Sequence, residues 1–74
     1  MIDINKIRIG MNRDEVIAII GEPDKISSTT KKYRIPMVYR YGNVELYFGP
    51  LKDSGLTFVQ EVEPGIGHVR YLLR

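Results

Sequence analysis

The chain has 74 residues, 43% of them apolar and 27% charged, with a formal net charge of +2. That length allows one domain, with a thin margin between burial and conformational entropy. There is no cysteine, which excludes disulfides and thiolate metal sites, and the weak positive charge falls well short of a nucleic-acid-binding tail.

No apolar run approaches the ~18 residues of a membrane span. The opening residues Met1-Ile2-Asp3-Ile4-Asn5-Lys6 carry neither an apolar signal region nor a cysteine for lipid attachment, so the expected compartment is the cytoplasm.

Residues 2–9 admit two readings. Asp3 could cap a single helical turn carrying Ile4 and Ile7, or Lys6-Ile7-Arg8-Ile9 could form a short edge strand. Gly10 breaks either element. Next comes a helix with a start, a stripe and a stop. Asn12 is an N-cap, Glu15 three residues later completes a capping box, and Met11 with Val16 is placed for a hydrophobic staple. Asp14 and Glu15 put negative charge at the positive end of the helix dipole. Val16, Ile19 and Ile20 share one face. Gly21 ends the helix and Pro23 prevents its resumption. A helix of two to three turns is unstable alone, so packing must hold it.

Residues 24–32 read as a surface loop, with Ser27–Thr30 as an alternative start of a strand. Residues 37–48 carry the clearest sheet signal. Tyr41-Gly42-Asn43-Val44 is a two-residue hairpin turn, and glycine at the first loop position suits type II′. Pairing Tyr41 with Val44 places Tyr39 opposite Leu46 and Met37 opposite Phe48 on one apolar face. The other face then pairs Arg40 with Glu45 and Val38 with Tyr47. Gly49–Gly55 is a loop, Leu56–Val62 a third strand, Glu63–Gly67 a turn and His68–Leu73 a fourth strand, with Val69, Tyr71 and Leu73 on one side. The expected fold is α+β: two layers, one short helix packed on a three- to four-stranded antiparallel β-meander, all of it a single domain.

The stretch from Gly10-Met11 through Gly21-Glu22-Pro23 resembles a bacterial pattern: Gly-Met, a polar cap, an acidic residue, Val, then Leu/Ile-Gly-x-Pro. It is similar to the SmpA/OmlA (BamE) outer-membrane assembly lipoproteins and to domains of β-lactamase inhibitor protein type. Tyr41-Gly42-Asn43-Val44-Glu45-Leu46-Tyr47-Phe48 also resembles a hairpin of small bacterial proteins, some of them suspected toxin-immunity proteins. The match covers residues 9–24 and 41–48. It implies a small helix-on-sheet domain that works by binding other proteins.

The residues that could carry other chemistry have ordinary structural explanations. His68, the sole histidine, has no evident partner for a nucleophilic or metal site. Gly65-Ile66-Gly67 lacks the third glycine, the following helix and the Lys-Ser/Thr of a phosphate loop, and reads as a tight turn. Asp14 and Glu15 are accounted for by capping, and with Glu22 and Asp24 they lack EF-hand spacing. Lys31, Lys32, Arg34 and Arg40 interleave with Tyr33, Tyr39, Tyr41 and Tyr47, as on sheets that bind nucleic acid. The hairpin register, however, puts Tyr39 and Tyr41 on the core side.

The expected function is therefore non-enzymatic protein–protein contact without a cofactor, of immunity or inhibitor type. The alternative is a small nucleic-acid-binding protein using the basic and aromatic sheet edge. The expected contact residues are Val38, Arg40, Glu45 and Tyr47, on the sheet face opposite the helix. Inhibitors of basic nuclease sites tend to be acidic, so a mildly basic chain points to an acidic or neutral partner. A small core without cross-links also makes a homodimer an expected state.

Overall fold

The computed structural model describes residues 2–27, 29–32 and 34–74. Ser28 and Tyr33, both used in the reading above, lie outside the described residues.

The N-terminal stretch takes the helical alternative. Asp3 accepts from the Asn5 amide at 3.0 Å and caps a 3-10 turn over Ile4–Lys6. Ile7 leaves that turn in extended backbone and is buried. Helix α1 spans Arg13–Ile20. Its capping box is complete: Asn12 Oδ1 accepts from the Glu15 amide at 2.8 Å, and Glu15 Oε1 accepts from the Asn12 amide at 3.2 Å. The helix ends where Gly21 turns to φ +89°, its amide donating to the Ile17 carbonyl at 2.9 Å.

The buried stripe of α1 differs from the expected one. Arg13 and Val16 are buried, and Ile17 and Ile20 pack against the core, which is i, i+3, i+4, i+7 spacing. Ile19, expected in the core, is 41% exposed. The phase shifts by one position because the stripe starts on a charged residue.

Arg13 is 6% exposed, and among the described residues no carboxylate is a hydrogen-bond acceptor for it. Its guanidinium donates instead to four main-chain carbonyls: Nε to Pro36 at 2.9 Å, Nη2 to Gly49 at 2.7 Å, and Nη1 to Leu51 at 2.8 Å and Lys52 at 3.3 Å. It also lies 5.0 Å from the centre of the Phe48 ring, within cation–π range. Burial pushes the Arg13 pKa down from its ordinary value, and the neighbouring Tyr39 opposes that shift. One side chain thus ties the helix start to the 49–52 loop.

The sheet overturns the three- to four-stranded expectation. Among the described residues it has five antiparallel strands in sequence order: β1 Lys25–Ser27, β2 Val38–Tyr41, β3 Val44–Phe48, β4 Leu56–Val62 and β5 Val69–Leu73. The molecule is a sheet with one short helix rather than a meander of three or four strands beneath a lid. The additional strand is β1, whose residues are all exposed and so leave no hydrophobic alternation to read. It is held by pairing and by Asp24: the Asp24 amide donates to the Arg40 carbonyl at 2.8 Å, and its carboxylate accepts from the Gly42 amide at 2.7 Å.

The hairpin has the register that its turn demands, Tyr41 with Val44, Arg40 with Glu45, Tyr39 with Leu46 and Val38 with Tyr47. Gly42 at the first turn position has φ +60°, which suits glycine. The inner face carries Tyr39, Tyr41, Val44, Leu46, Phe48, Leu56 and Val59, joined by Ile7 and by Val16 of α1. Leu56 is fixed by two main-chain bonds to the preceding segment, Gly10 amide to Leu56 carbonyl at 2.8 Å and Leu56 amide to Met11 carbonyl at 2.7 Å. The approach is tight enough that a Cβ on Gly55 would stand 2.5 Å from the Gly10 oxygen, which only glycine avoids. A register shift between Val59 and Gln60 sets Leu73 opposite Val59, on the inner face. Val69 and Tyr71 lie opposite Val62 and Gln60, so the single side expected for Val69, Tyr71 and Leu73 is split. Among the described residues no helix is long and apolar enough to cross a membrane.

Tyr41 gives the fold an alkaline limit. Its hydroxyl donates to the Gly21 carbonyl at 2.8 Å, and burial first, then the nearby Tyr39, Glu22 and Asp24, push its pKa up to about 12. The unfolded phenol ionises near pH ~10. Above that pH the unfolded chain holds fewer protons than the native one, so stability is complete below it and falls as pH rises through about 12. Denaturant midpoints measured across this window should decline in wild type and be flatter in Tyr41→Phe.

Candidate functional site

The sheet face turned away from α1 is built by alternation along the strands. In register across it lie Arg40 on β2, Glu45 and Tyr47 on β3, Phe58 and Gln60 on β4, and Tyr71 on β5. Val38 faces the same way and is 3% exposed, so it presents little surface there.

Three aromatic rings run across this face from β3 to β5. Tyr47 and Phe58 are stacked with centroids 4.3 Å apart and planes 13° from parallel. Phe58 meets Tyr71 edge to face at 5.8 Å and 70°. The Arg74 guanidinium lies 4.9 Å from the Tyr71 ring centre. Beside this stripe sits a polar network. Glu45 Oε1 accepts from Gln60 Nε2 at 2.7 Å and from the Tyr47 hydroxyl at 3.2 Å, and Gln60 Nε2 also reaches the Tyr47 oxygen at 3.4 Å. Burial foremost, and then Glu45 as charge and acceptor, pushes the Tyr47 pKa up from its ordinary value.

Arg40 and Glu45 face each other in register, but their hydrogen bonds go elsewhere. Arg40 Nε donates to the Gly42 carbonyl at 3.0 Å, while Glu45 is taken up by Gln60 and Tyr47. The sequence reading located Arg40, Glu45 and Tyr47 on this face and missed Phe58, Gln60 and Tyr71. The missing signal was the register of β4, which cannot be set across the 49–55 loop and the shift between Tyr47 and Phe48.

Two hollows lie elsewhere. One, of about 540 Å³, is lined on the inner face by Ile2, Ile4, Tyr41, Val44 and Leu72, with the Glu61–Arg70 ion pair (2.8 Å) among its other residues. The other, of about 390 Å³, includes the exposed His68 with Glu61, Glu63 and Arg70. Among the described residues no three His, Cys, Asp or Glu side chains converge as a metal site requires. Compared with protein-family models, with curated proteins and with solved structures, the chain matches none.

Proposed function

We propose that this chain is a non-enzymatic protein-binding domain that meets its partner with the sheet face carrying Arg40, Glu45, Tyr47, Phe58 and Tyr71. The observation that supports the reading most is the aromatic stripe of Tyr47, Phe58 and Tyr71 on the face away from the helix. Aromatic side chains with an arginine at the margin are the composition enriched at binding hot spots, because they bury large area at little rotamer entropy. The Glu45–Gln60–Tyr47 network holds Tyr47 in place beforehand, so little ordering is left for binding to oppose.

Among protein binders, an inhibitor or immunity type of action fits, in which this face covers a site on the partner. The resemblance of residues 9–24 and 41–48 to small bacterial binding domains points the same way. The weak positive charge favours a neutral or acidic partner. The nucleic-acid reading loses ground on ring geometry. Base stacking needs ring faces laid open, whereas Tyr47 and Phe58 give a face to each other and Tyr71 is approached by Arg74.

Calorimetry with the partner tests the reading. Tyr47→Ala and Arg40→Ala should each weaken binding by about 1–3 kcal/mol. Their stability should fall by less than about 1.5 kcal/mol, the scale of one aromatic pair. Unchanged affinity in both variants would move the contact surface off this face.

A further inference from the structure

We propose that the open edge of β5 receives an extended acidic segment of the partner as a sixth strand. This rests on the protein-binding reading above and names where, and with what backbone shape, the partner attaches.

Among the described residues β5 pairs with β4 on one side and with no strand on the other. Its hydrogen-bond phase follows from one contact. The Glu63 amide donates to the His68 carbonyl at 2.7 Å, which makes Glu63 and His68 a bonded pair. Bonded pairs recur every second residue in an antiparallel ladder, so Glu61–Arg70 is the next. The N–H and C=O of Val69 and Tyr71 therefore point away from β4, to the open edge. A row of main-chain donors and acceptors is complemented by another extended backbone. Val69 and Tyr71 are also 48% and 51% exposed, and β5 contains no proline to blunt its edge.

Charge selects the occupant. The edge presents Arg70 and Arg74 as its cations, while Glu61 and Glu63 lie one strand back, Glu61 bonded to Arg70 at 2.8 Å. A second copy of β5 would bring the cations of both chains along one seam, the device by which edges resist self-pairing. An acidic strand meets them favourably. Alternation then dictates its sequence pattern. Side chains beside Val69 and Tyr71 should be apolar and extend the Tyr47–Phe58–Tyr71 stripe, and those beside Arg70 should be acidic.

The probe is a seven-residue peptide alternating valine and glutamate, titrated against the full chain while amide hydrogen exchange is followed by NMR. At saturation the Val69 and Tyr71 amides should exchange at least about tenfold more slowly, with Arg70, already bonded to β4, unaffected. Added salt should weaken binding, and the same peptide with lysine for glutamate should bind about tenfold less well. Arg74→Glu should narrow that preference. Several results overturn the proposal: no added protection at Val69 and Tyr71, equal binding of the lysine peptide, or protection that rises with protein concentration alone, which would make a second copy the occupant. Shifts confined to Tyr47 and Phe58 would overturn the edge proposal and leave the protein-binding face standing.

Discussion

Replacing Arg13 with methionine should lower stability by about 3 kcal/mol, because charged hydrogen bonds are worth roughly 1.5–3 kcal/mol each and some of the released carbonyls regain water. Methionine keeps most of the apolar stem and removes every donor. The carbonyls of Pro36 and Gly49, both partly buried, then lose their guanidinium partner, while those of the exposed Leu51 and Lys52 can be solvated. The Phe48 ring also loses the cation 5.0 Å from its centre. Arg13→Lys should recover only a small part. An ammonium has three donors about one point and cannot span the same set of carbonyls. Urea unfolding of the three proteins measures this directly. A loss below about 1 kcal/mol for methionine would mean that the buried guanidinium is incidental.

Leu46→Ala should be of similar size, about 2–5 kcal/mol, as a truncation in a fully enclosed site. Leu46 is 0% exposed and lies in register between Tyr39 on β2 and Val59 on β4. No large movement can fill the space, because all three strands are tied laterally. A 74-residue domain has little stability in reserve, so this variant should be partly unfolded near physiological temperature. The adjacent Tyr47 points the other way, and its truncation should act on binding instead. The contrast between neighbouring residues checks the face assignment: equal losses of stability at positions 46 and 47 would contradict it.

What could be read from the sequence was whatever is fixed locally. The Asn12–Glu15 box, the Gly21 stop and the Gly42-Asn43 turn each depend on residues a few positions apart, and each takes the expected form. The hairpin turn set the register of β2 and β3 and so placed Arg40, Glu45 and Tyr47. What could not be read depends on distant partners. β1 is three exposed residues held by Arg40 and Gly42, so nothing within it announces a strand. Arg13 reads as a surface charge until the carbonyls of residues 36 and 49–52 are brought around it, and that hidden cation displaced Ile19 from the core stripe. Phe58 and Tyr71 joined Tyr47 only through a strand register that includes two shifts.

The proposed function puts a partner protein on the aromatic sheet face. Photocrosslinking in the native host tests it most directly, with benzoylphenylalanine placed at Phe58 on that face and, separately, at Ala18 on the exposed side of α1. Position 58 should give a discrete protein adduct that is lost when Tyr47→Ala is added, and position 18 should give none. Adducts at position 18 with none at 58, or at 58 undiminished by Tyr47→Ala, would contradict it.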